Sequence, residues 1–159
     1  MIKIGIIGGA GYTAGELIRI LLHHPKVKID FIHSNSQDGK LVSDIHQDLL
    51  GETYLSFSKN INLGVNVLFL CSGHGNSKSF LTKHTFSKQT KIIDLSSDFR
   101  IKEEGNNFVY GLPELNKKQI QTSSHIANCG CFATAIQLAL LPLAKSQNFR
   151  RLRRLEPVL

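Results

Sequence analysis

The sequence is poor in cysteine, proline and tryptophan, and it lacks any long apolar run. Only three cysteines and four prolines occur among 159 residues, and tryptophan is absent. An odd number of cysteines, two of them separated by one glycine, argues against a disulfide framework and favours a reducing compartment, so the cytoplasm is expected. No apolar stretch approaches the roughly 20 residues that span a bilayer. Because Met1 leads directly into the strand-like IKIGIIGG, no cleaved targeting segment is expected either.

Acidic residues are scarce beside basic ones, 12 against 19, which gives a formal net charge of +7. Four arginines fall in the terminal stretch FRRLRRLEPVL, and the other basic residues are scattered among acids without interleaved aromatics. That distribution does not favour nucleic-acid binding, which needs a basic surface with stacking side chains. A modest positive surplus suits a protein that binds phosphorylated, anionic small molecules.

What is present is an alternation of buried strands and helices. Apolar, β-branched runs predict strands, and apolar residues at helical spacing predict helices. Strands are predicted over residues 2–7, 27–33, 65–72 and 91–96, and helices over 13–23, 77–89 and 131–141, the last ending at Pro142. FVYGLPEL and HIANCGCF are expected as loops or short strands at the carboxyl edge of the sheet. The pattern predicts the α/β class, with a Rossmann-like, doubly wound, mainly parallel sheet.

A glycine-rich loop joins the first strand to the first helix. In GIIGGAGYTAGEL, Gly8, Gly11 and Ala14 keep the spacing G-x-x-G-x-x-A, a relative of the dinucleotide-binding fingerprint. Small residues are needed there because the backbone must approach the phosphates at the helix N-terminus. The alternative is a tight turn that binds no ligand.

The end of the second predicted strand indicates which nicotinamide cofactor is bound. Enzymes that use NAD usually place an acid there for the ribose hydroxyls. Here Ser34 and Ser36 follow the strand, with Lys40 shortly after. Hydroxyls and a lysine suit a 2′-phosphate, so NADP is favoured over NAD, although Asp38 leaves an acid in the same loop.

The stretch NCGCFATAIQLALLPL places a thiol where a helix is predicted to begin. At such a position Cys131 would sit among unpaired backbone N–H groups, which favour a nucleophilic thiolate. The alternative is inert packing, which is the expected role of Cys71 inside VNVLFLCSG. A redox or metal half-site at Cys129 and Cys131 is a further alternative. Without a second ligand pair it is weak, so no metal site is predicted.

Five stretches in this order resemble the N-acetyl-γ-glutamyl-phosphate reductases, NADPH-dependent enzymes of arginine biosynthesis. They are GxxGYTAGEL (8–17), CSGHGNS (71–77), DLSSDFR (94–100), YGLPEL (110–115) and NCGCFATAIQLALLPL (128–143). The resemblance implies a small acyl-phosphate substrate and a cysteine thioester that NADPH reduces to the aldehyde. It also implies a homo-oligomer for the full-length form, with neither nucleic acid nor membrane as partner.

The resemblance carries roles to particular positions. Cys131 matches the catalytic cysteine, and Arg100 of the D-F-R motif and Asn128 match positions near the substrate. The matches to the NADP site are Gly8, Gly11, Tyr12, Thr13, Ala14, Gly75 and Ser77, the last two in a loop that also contains His74.

The sequence departs from the family pattern in two respects. Cys129 and Gly73 stand where the family usually has proline. The predicted organisation is one NADP-binding domain over residues 1–145, including the nucleophile loop and its helix, and an atypical basic tail over 146–159, suggesting truncation. The substrate domain is then largely absent, and none of the seven histidines matches the family's acid/base histidine, so activity is expected to be impaired. An inactive nucleotide-binding fragment and an aspartate-semialdehyde-type dehydrogenase remain the alternatives.

Overall fold

The computed structural model describes residues 1–146. Its strands are β1 (Ile2–Ile7), β2 (Val27–His33), β3 (Val67–Leu70), β4 (Lys91–Asp94), β5 (Val109–Tyr110) and β6 (His125–Ala127). Its helices are α1 (Tyr12–Leu22), α2 (Val42–Ile45), α3 (Asn76–Lys83), α4 (Pro113–Thr122) and α5 (Cys131–Lys145), with a 3-10 turn at Gln47–Leu49. The basic tail predicted from residue 146 onward lies, apart from Ser146, outside the described residues.

The described strands form one parallel sheet in the order β2-β1-β3-β4-β6-β5. The chain moves outward from β1 to β2 and then crosses back to place β3 on the other side of β1. In open α/β sheets this reversal leaves a crevice at the carboxyl ends of the strands, where ligands bind. The predicted α/β, Rossmann-like sheet is therefore confirmed.

Side chains of β1 alternate between the two faces of the sheet, as a period of two requires. Ile4 and Ile6 join a buried cluster with Ile18 of α1. Ile7 faces the second cluster, against which Phe80 of α3 packs. Since α1 and α3 cover different clusters, the sheet is doubly wound and its strands are fixed from both sides.

Two predicted helix ends are wrong. The third helix was predicted over residues 77–89, but α3 ends at Lys83, because His84 adopts an extended backbone and donates to the Phe80 carbonyl through both its N–H (3.2 Å) and its ring Nδ1 (3.1 Å). Helix α5 does not end at Pro142 but continues to Lys145. Proline removes one helical hydrogen bond, because it has no N–H. Pro142 lies in the last turn of α5, where this loss does not prevent the helix from continuing for three more residues.

Helix α4 was not predicted, because it has no buried residue and therefore no apolar stripe to detect. Proline at its first position and Glu114 in its first turn are compatible with a helix start. Among the described helices, none combines the length and the apolar character needed to traverse a bilayer.

Candidate functional site

The glycine loop after β1 is packed against the neighbouring strand ends. Gly8 has φ +78°, and a Cβ on it would lie 2.6 Å from the Cα of Ser72, so only glycine fits. The backbone N–H groups of Gly8 and Gly9 both donate to the carbonyl of His33, over 3.1 and 2.9 Å. These bonds attach the loop to the end of β2, a few residues before α1 begins.

Helix α1 begins at this loop with an open N-terminus. Gly11 precedes the helix without a side-chain cap, and the first turn contains no acid. Tyr12 and Thr13, the first two helical residues, are exposed, and the N–H groups of such residues have no partner within a helix. Ala14 is fully buried in the core, so its small side chain serves helix packing. An exposed, acid-free helix N-terminus of this kind suits a phosphate.

His46 supports the loop from outside the glycine motif. Its Nε2 donates to the carbonyl oxygen of Gly9 over 2.8 Å. Its ring also lies on Gly15 of α1, where a Cβ would be 2.5 Å from Nδ1. Sequence reasoning missed this residue, since a histidine in the connection after β2 carries no local signal of a contact with residue 9.

A cavity of about 620 Å³ opens beside Gly8 at the carboxyl ends of β1, β2 and β3. Its wall includes Gly8, Ser34, Ser36, Lys59, Ser72 and Lys83. The Ser72 Oγ is buried and, among the described residues, has no hydrogen-bond partner, so a polar ligand could satisfy it. The predicted Lys40 is exposed and does not belong to this wall. The residues present fit a dinucleotide at this edge.

The loop at Gly75 and Ser77 is built around two carboxylates. Ser77 Oγ donates to Asp94 Oδ1 over 2.5 Å, and Ser96 Oγ donates to Asp94 Oδ2 over 2.7 Å, all within the buried interior. Asp98 accepts the backbone N–H groups of Gly75 and Ser77 at 2.6 and 3.0 Å. The Ser77 hydroxyl therefore faces the sheet and not the cavity, and Gly75 and Ser77 anchor the loop that borders the site.

The charge of Asp98 is stabilised at the N-terminus of α3. Partial burial raises the pKa of this carboxyl, but hydrogen bonds from the N–H groups of Gly75, Lys78 and Ser77 outweigh it, and the pKa lies below its usual value. This carboxylate occupies the anion position that the helix end would otherwise offer to a ligand. Of these two helix ends, only that of α1 is left without a carboxylate.

Arg100 ties the end of β4 to the loop before α5. Its Nε donates to the carbonyl of Asn128 over 2.9 Å, and its Nη2 donates to the carbonyl of Leu95 over 3.0 Å. Gly130 leaves room for the guanidinium, since a Cβ there would be 2.8 Å from Nη1. Asn128 itself is exposed, and its N–H donates to the carbonyl of Asp94 over 2.7 Å.

The three thiols occupy different environments. Cys131 is exposed as the first residue of α5, with Gly130 before it and no acid in the first helical turn. Cys129 is half-buried, and its thiol donates to the carbonyl of Gly111 over 3.8 Å. Burial, with a smaller effect of the Asp94 charge, raises the pKa of Cys71 to about 12. Only Cys131 combines exposure with a helix N-terminus, the setting that favours an attacking thiolate.

His74, in the loop that borders the site, and His125, at the start of β6, both have structural partners. His74 Nδ1 accepts the N–H of Ser97 over 3.0 Å. His125 lies in β6 against the ring of Phe108, with centroids 5.0 Å apart, and burial lowers its pKa. Within residues 1–146, no group of three or more His, Cys, Asp or Glu side chains is placed to hold a metal ion.

Sequence comparison gives the chain clear relatives. The N-acetyl-γ-glutamyl-phosphate reductase of Christiangramia forsetii is 61% identical over 146 residues, which is 92% of this chain and 46% of that protein. The enzymes of the same name from Flavobacterium johnsoniae and Bacteroides thetaiotaomicron are 60% and 56% identical, over 91% and 92% of this chain and 46% of each relative. The chain thus spans about half the length of these curated relatives.

Solved structures with the same fold include aspartate semialdehyde dehydrogenases. The type II enzyme of Vibrio cholerae superposes with a TM-score of 0.70 at 17% identity, covering 92% of this chain and 43% of that one. The Candida albicans enzyme, solved with NADP, gives 0.67 at 16% identity over 92% of this chain and 47% of that one. At this identity the likeness shows the fold alone.

The match to a protein family covers most of the sheet and its crevice. The family described as the semialdehyde dehydrogenase NAD-binding domain matches residues 3–123, which contain the glycine loop, the cavity and Arg100. The chain therefore belongs to the semialdehyde dehydrogenase NAD-binding domain family, and the curated relatives it resembles at more than half identity are N-acetyl-γ-glutamyl-phosphate reductases.

Proposed function

We propose that this chain is the cofactor-binding and nucleophile-bearing part of an N-acetyl-γ-glutamyl-phosphate reductase of arginine biosynthesis. The observation that carries the proposal is the position of Cys131: exposed at the start of α5, directly after a loop that Arg100 holds, on the same sheet edge as the glycine loop. The names of the relatives supply the substrate. A cytoplasmic location and a homo-oligomeric full-length form belong to the same proposal.

The chemistry assigned to Cys131 is attack on an acyl phosphate. Its thiolate forms a bond to the acyl carbon, the bond from that carbon to the phosphate oxygen breaks, and inorganic phosphate leaves. A bound nicotinamide cofactor supplies the hydride that converts the resulting thioester to N-acetyl-glutamate semialdehyde and frees the thiolate. The chain's own part is to hold the thiol exposed at the first position of α5, directly after the loop that Arg100 contacts.

Arg100 and Asn128 are proposed to meet the substrate. Arginine carries several N–H donors, of which two here serve backbone carbonyls, and the others can face a phosphate oxygen. Asn128 is exposed and lies three residues before the nucleophile. Its side-chain Nδ2 donates to the carbonyl of Cys129 over 3.4 Å. Arg100 follows β4 and Asn128 follows β6, and the hydrogen bond from Arg100 Nε to the Asn128 carbonyl joins the two connections.

NADP is proposed as the cofactor in preference to NAD. The glycine loop offers the N-terminus of α1 to the pyrophosphate, and Gly8, Gly11, Tyr12 and Thr13 would supply that contact through backbone. The cavity beside it presents the hydroxyl-bearing Ser34 and Ser36 where NAD enzymes usually have an acid. Fluorescence titration with NADPH and NADH tests the preference, and equal affinities would overturn it.

The test of the reaction is formation of the acyl-enzyme, because it needs only the nucleophile and its loop. The chain is mixed with N-acetyl-γ-glutamyl phosphate, and intact mass is followed with and without NADPH. A thioester adduct that NADPH discharges is expected in the wild type and in Cys129→Ser, and no adduct in Cys131→Ser. An adduct that persists in Cys131→Ser overturns the assignment of the nucleophile.

A further inference from the structure

We propose that Lys59 and Lys83, and not Lys40, bind the 2′-phosphate of NADPH, and that Asp38 competes with this phosphate for Lys59. The inference rests on the proposed NADP cofactor and names the side chains that would select it. The two lysines come from different elements, yet both belong to the wall of the cavity beside Gly8.

Backbone pairing brings Lys59 to the end of β2. The N–H of Ser58 donates to the carbonyl of Ile32 over 2.9 Å, and the N–H of Ser34 donates to the carbonyl of Ser58 over 3.1 Å. The segment before Lys59 therefore runs beside the last residues of β2 as a short parallel bridge. This places Lys59 in the same cavity wall as Ser34 and Ser36, whose hydroxyl oxygens are 3.5 Å apart.

Lys83 enters the same cavity from the last turn of α3. Beside it, His84 stacks on the ring of Phe80, with centroids 4.4 Å apart and planes 21° apart, which fixes this end of the helix. His33 and His84 complete the titratable groups of the wall, and the wall contains no carboxylate. A cavity whose wall contains two lysines, two serines and no acidic residue is chemically suited to a phosphate monoester.

Asp38 is paired with Lys59. Its Oδ2 lies 3.5 Å from Lys59 Nζ, and its Oδ1 accepts the backbone N–H of Lys59 over 2.9 Å. Both side chains are largely exposed, and exposed pairs of this kind contribute little to stability. A phosphate monoester carries about twice the charge of a carboxylate near neutral pH and accepts more hydrogen bonds, so it can displace Asp38. NADH brings no such group and leaves the pair intact.

Lys40 supplies a matched control. It has the same charge and lies in the same connection, but it is exposed and outside the cavity wall. Its backbone contacts are turn bonds, from its N–H to the carbonyl of Gln37 and from the N–H of Phe57 to its carbonyl. Neither bond depends on the Lys40 side chain. The hydrogen bond from the backbone N–H of Lys59 to Asp38 likewise does not depend on the Lys59 side chain, so both lysines can be replaced without loss of these bonds.

The experiment measures dissociation constants for NADPH and NADH with Lys59→Gln, Lys83→Gln, Lys40→Gln and Asp38→Asn, each checked for folding by circular dichroism. Lys59→Gln and Lys83→Gln are expected to weaken NADPH binding about tenfold each, the loss of one charge-assisted contact, and to leave NADH binding unchanged. Lys40→Gln is expected to bind both as the wild type does. Asp38→Asn is expected to tighten NADPH binding severalfold, because Lys59 is then free. Repeating the series with 2′,5′-ADP and 5′-AMP isolates the phosphate.

Other outcomes would overturn either the assignment of the two lysines or the cofactor proposal on which it rests. If Lys59→Gln and Lys83→Gln bind NADPH like the wild type, or weaken both nucleotides equally, the lysine assignment is wrong while the cofactor proposal stands. If Lys40→Gln alone loses NADPH affinity, the charge comes from Lys40. If the folded wild type binds neither nucleotide, the proposed function fails, and the inference fails with it.

Discussion

The imidazole of His46 is hydrogen-bonded to the carbonyl oxygen of Gly9, with 2.8 Å between Nε2 and that oxygen. Thirty-seven residues separate the two along the chain. Since a carbonyl can only accept, Nε2 is the donor of this bond. The bond, together with the contact between the ring and Gly15, fixes the glycine loop to the connection that follows β2.

Replacing His46 by phenylalanine keeps a ring against Gly15 but leaves the Gly9 carbonyl without its donor. We expect the free energy of unfolding to fall by about 1–3 kcal/mol, the cost of an unsatisfied polar group. NADPH binding should weaken about fivefold or more because the loop is less ordered. Chemical denaturation and fluorescence titration measure the two effects. His24→Phe, at the exposed end of α1, is the control, and a His46→Phe protein that binds NADPH normally would show that the contact does not position the loop.

Gly8 and Gly11 are expected to fail in different ways when substituted. Gly8→Ala combines a positive φ with a Cβ 2.6 Å from a backbone atom, so a loss of about 2–4 kcal/mol of unfolding free energy is expected. Gly11 has an extended backbone, and the nearest atom to its Cβ is 3.5 Å away, so Gly11→Val should fold. It should nevertheless lose NADPH binding, because the side chain would fill the space assigned to the pyrophosphate. Unfolding curves measure the first effect and nucleotide titration the second. A Gly8→Ala protein as stable as the wild type would contradict the first prediction, and a Gly11→Val protein that binds NADPH would contradict the second.

Alkylation should distinguish the three cysteines. At pH 7 a thiol with a pKa near 12 is a thiolate in only ~10⁻⁵ of molecules, so Cys71 should be almost unreactive in the native protein. Cys131 should react first with iodoacetamide and the half-buried Cys129 more slowly. Peptide mapping after limited alkylation gives the order, with the denatured chain as the control in which all three react. Modification of Cys71 ahead of Cys131 would remove the basis for the nucleophile assignment.

The parts of this site that local sequence patterns predict are those built from consecutive residues. The glycine loop, the helix after it and the cysteine at the start of α5 each combine a turn signal with an apolar period, and the structure places them at one sheet edge. Whether they bind cofactor and substrate stays a prediction, which the experiments above address.

Contacts between distant segments were not predictable in the same way. His46 and Lys59 lie in the connection after β2, where neither periodicity nor a motif shows that the chain returns to the end of that strand. Ser77 reads as a loop hydroxyl, yet Asp94, a strand residue seventeen positions later, turns it inward. Lys40 was predicted from its charge and its distance along the chain from β2, and the turn at residues 37–40 leaves it outside the cavity wall, so its role in binding stays a prediction.

The last prediction concerns the pH dependence of stability through Asp98. Its folded-state pKa is below the ordinary 3.8, so its carboxylate stabilises the folded chain fully above that value, and the contribution is lost as the pH falls towards the folded pKa. Asp98→Asn should therefore lower the free energy of unfolding by about 0.5–1 kcal/mol between pH 5 and 8, the usual effect of an anion at a helix N-terminus.

Below about pH 4 the difference between wild type and Asp98→Asn should shrink, because the wild-type carboxyl becomes protonated. Urea unfolding at a series of pH values measures it. Glu104→Gln is the control: Glu104 is exposed in the connection after β4 and makes no hydrogen bond or ion pair within residues 1–146. A difference that stays constant from pH 7 down to pH 3 would mean that Asp98 stabilises α3 through shape and neutral hydrogen bonds, and not through its charge. The N-terminus of α3 would then be uncompensated, and its loop could offer a second anion position beside the glycine loop.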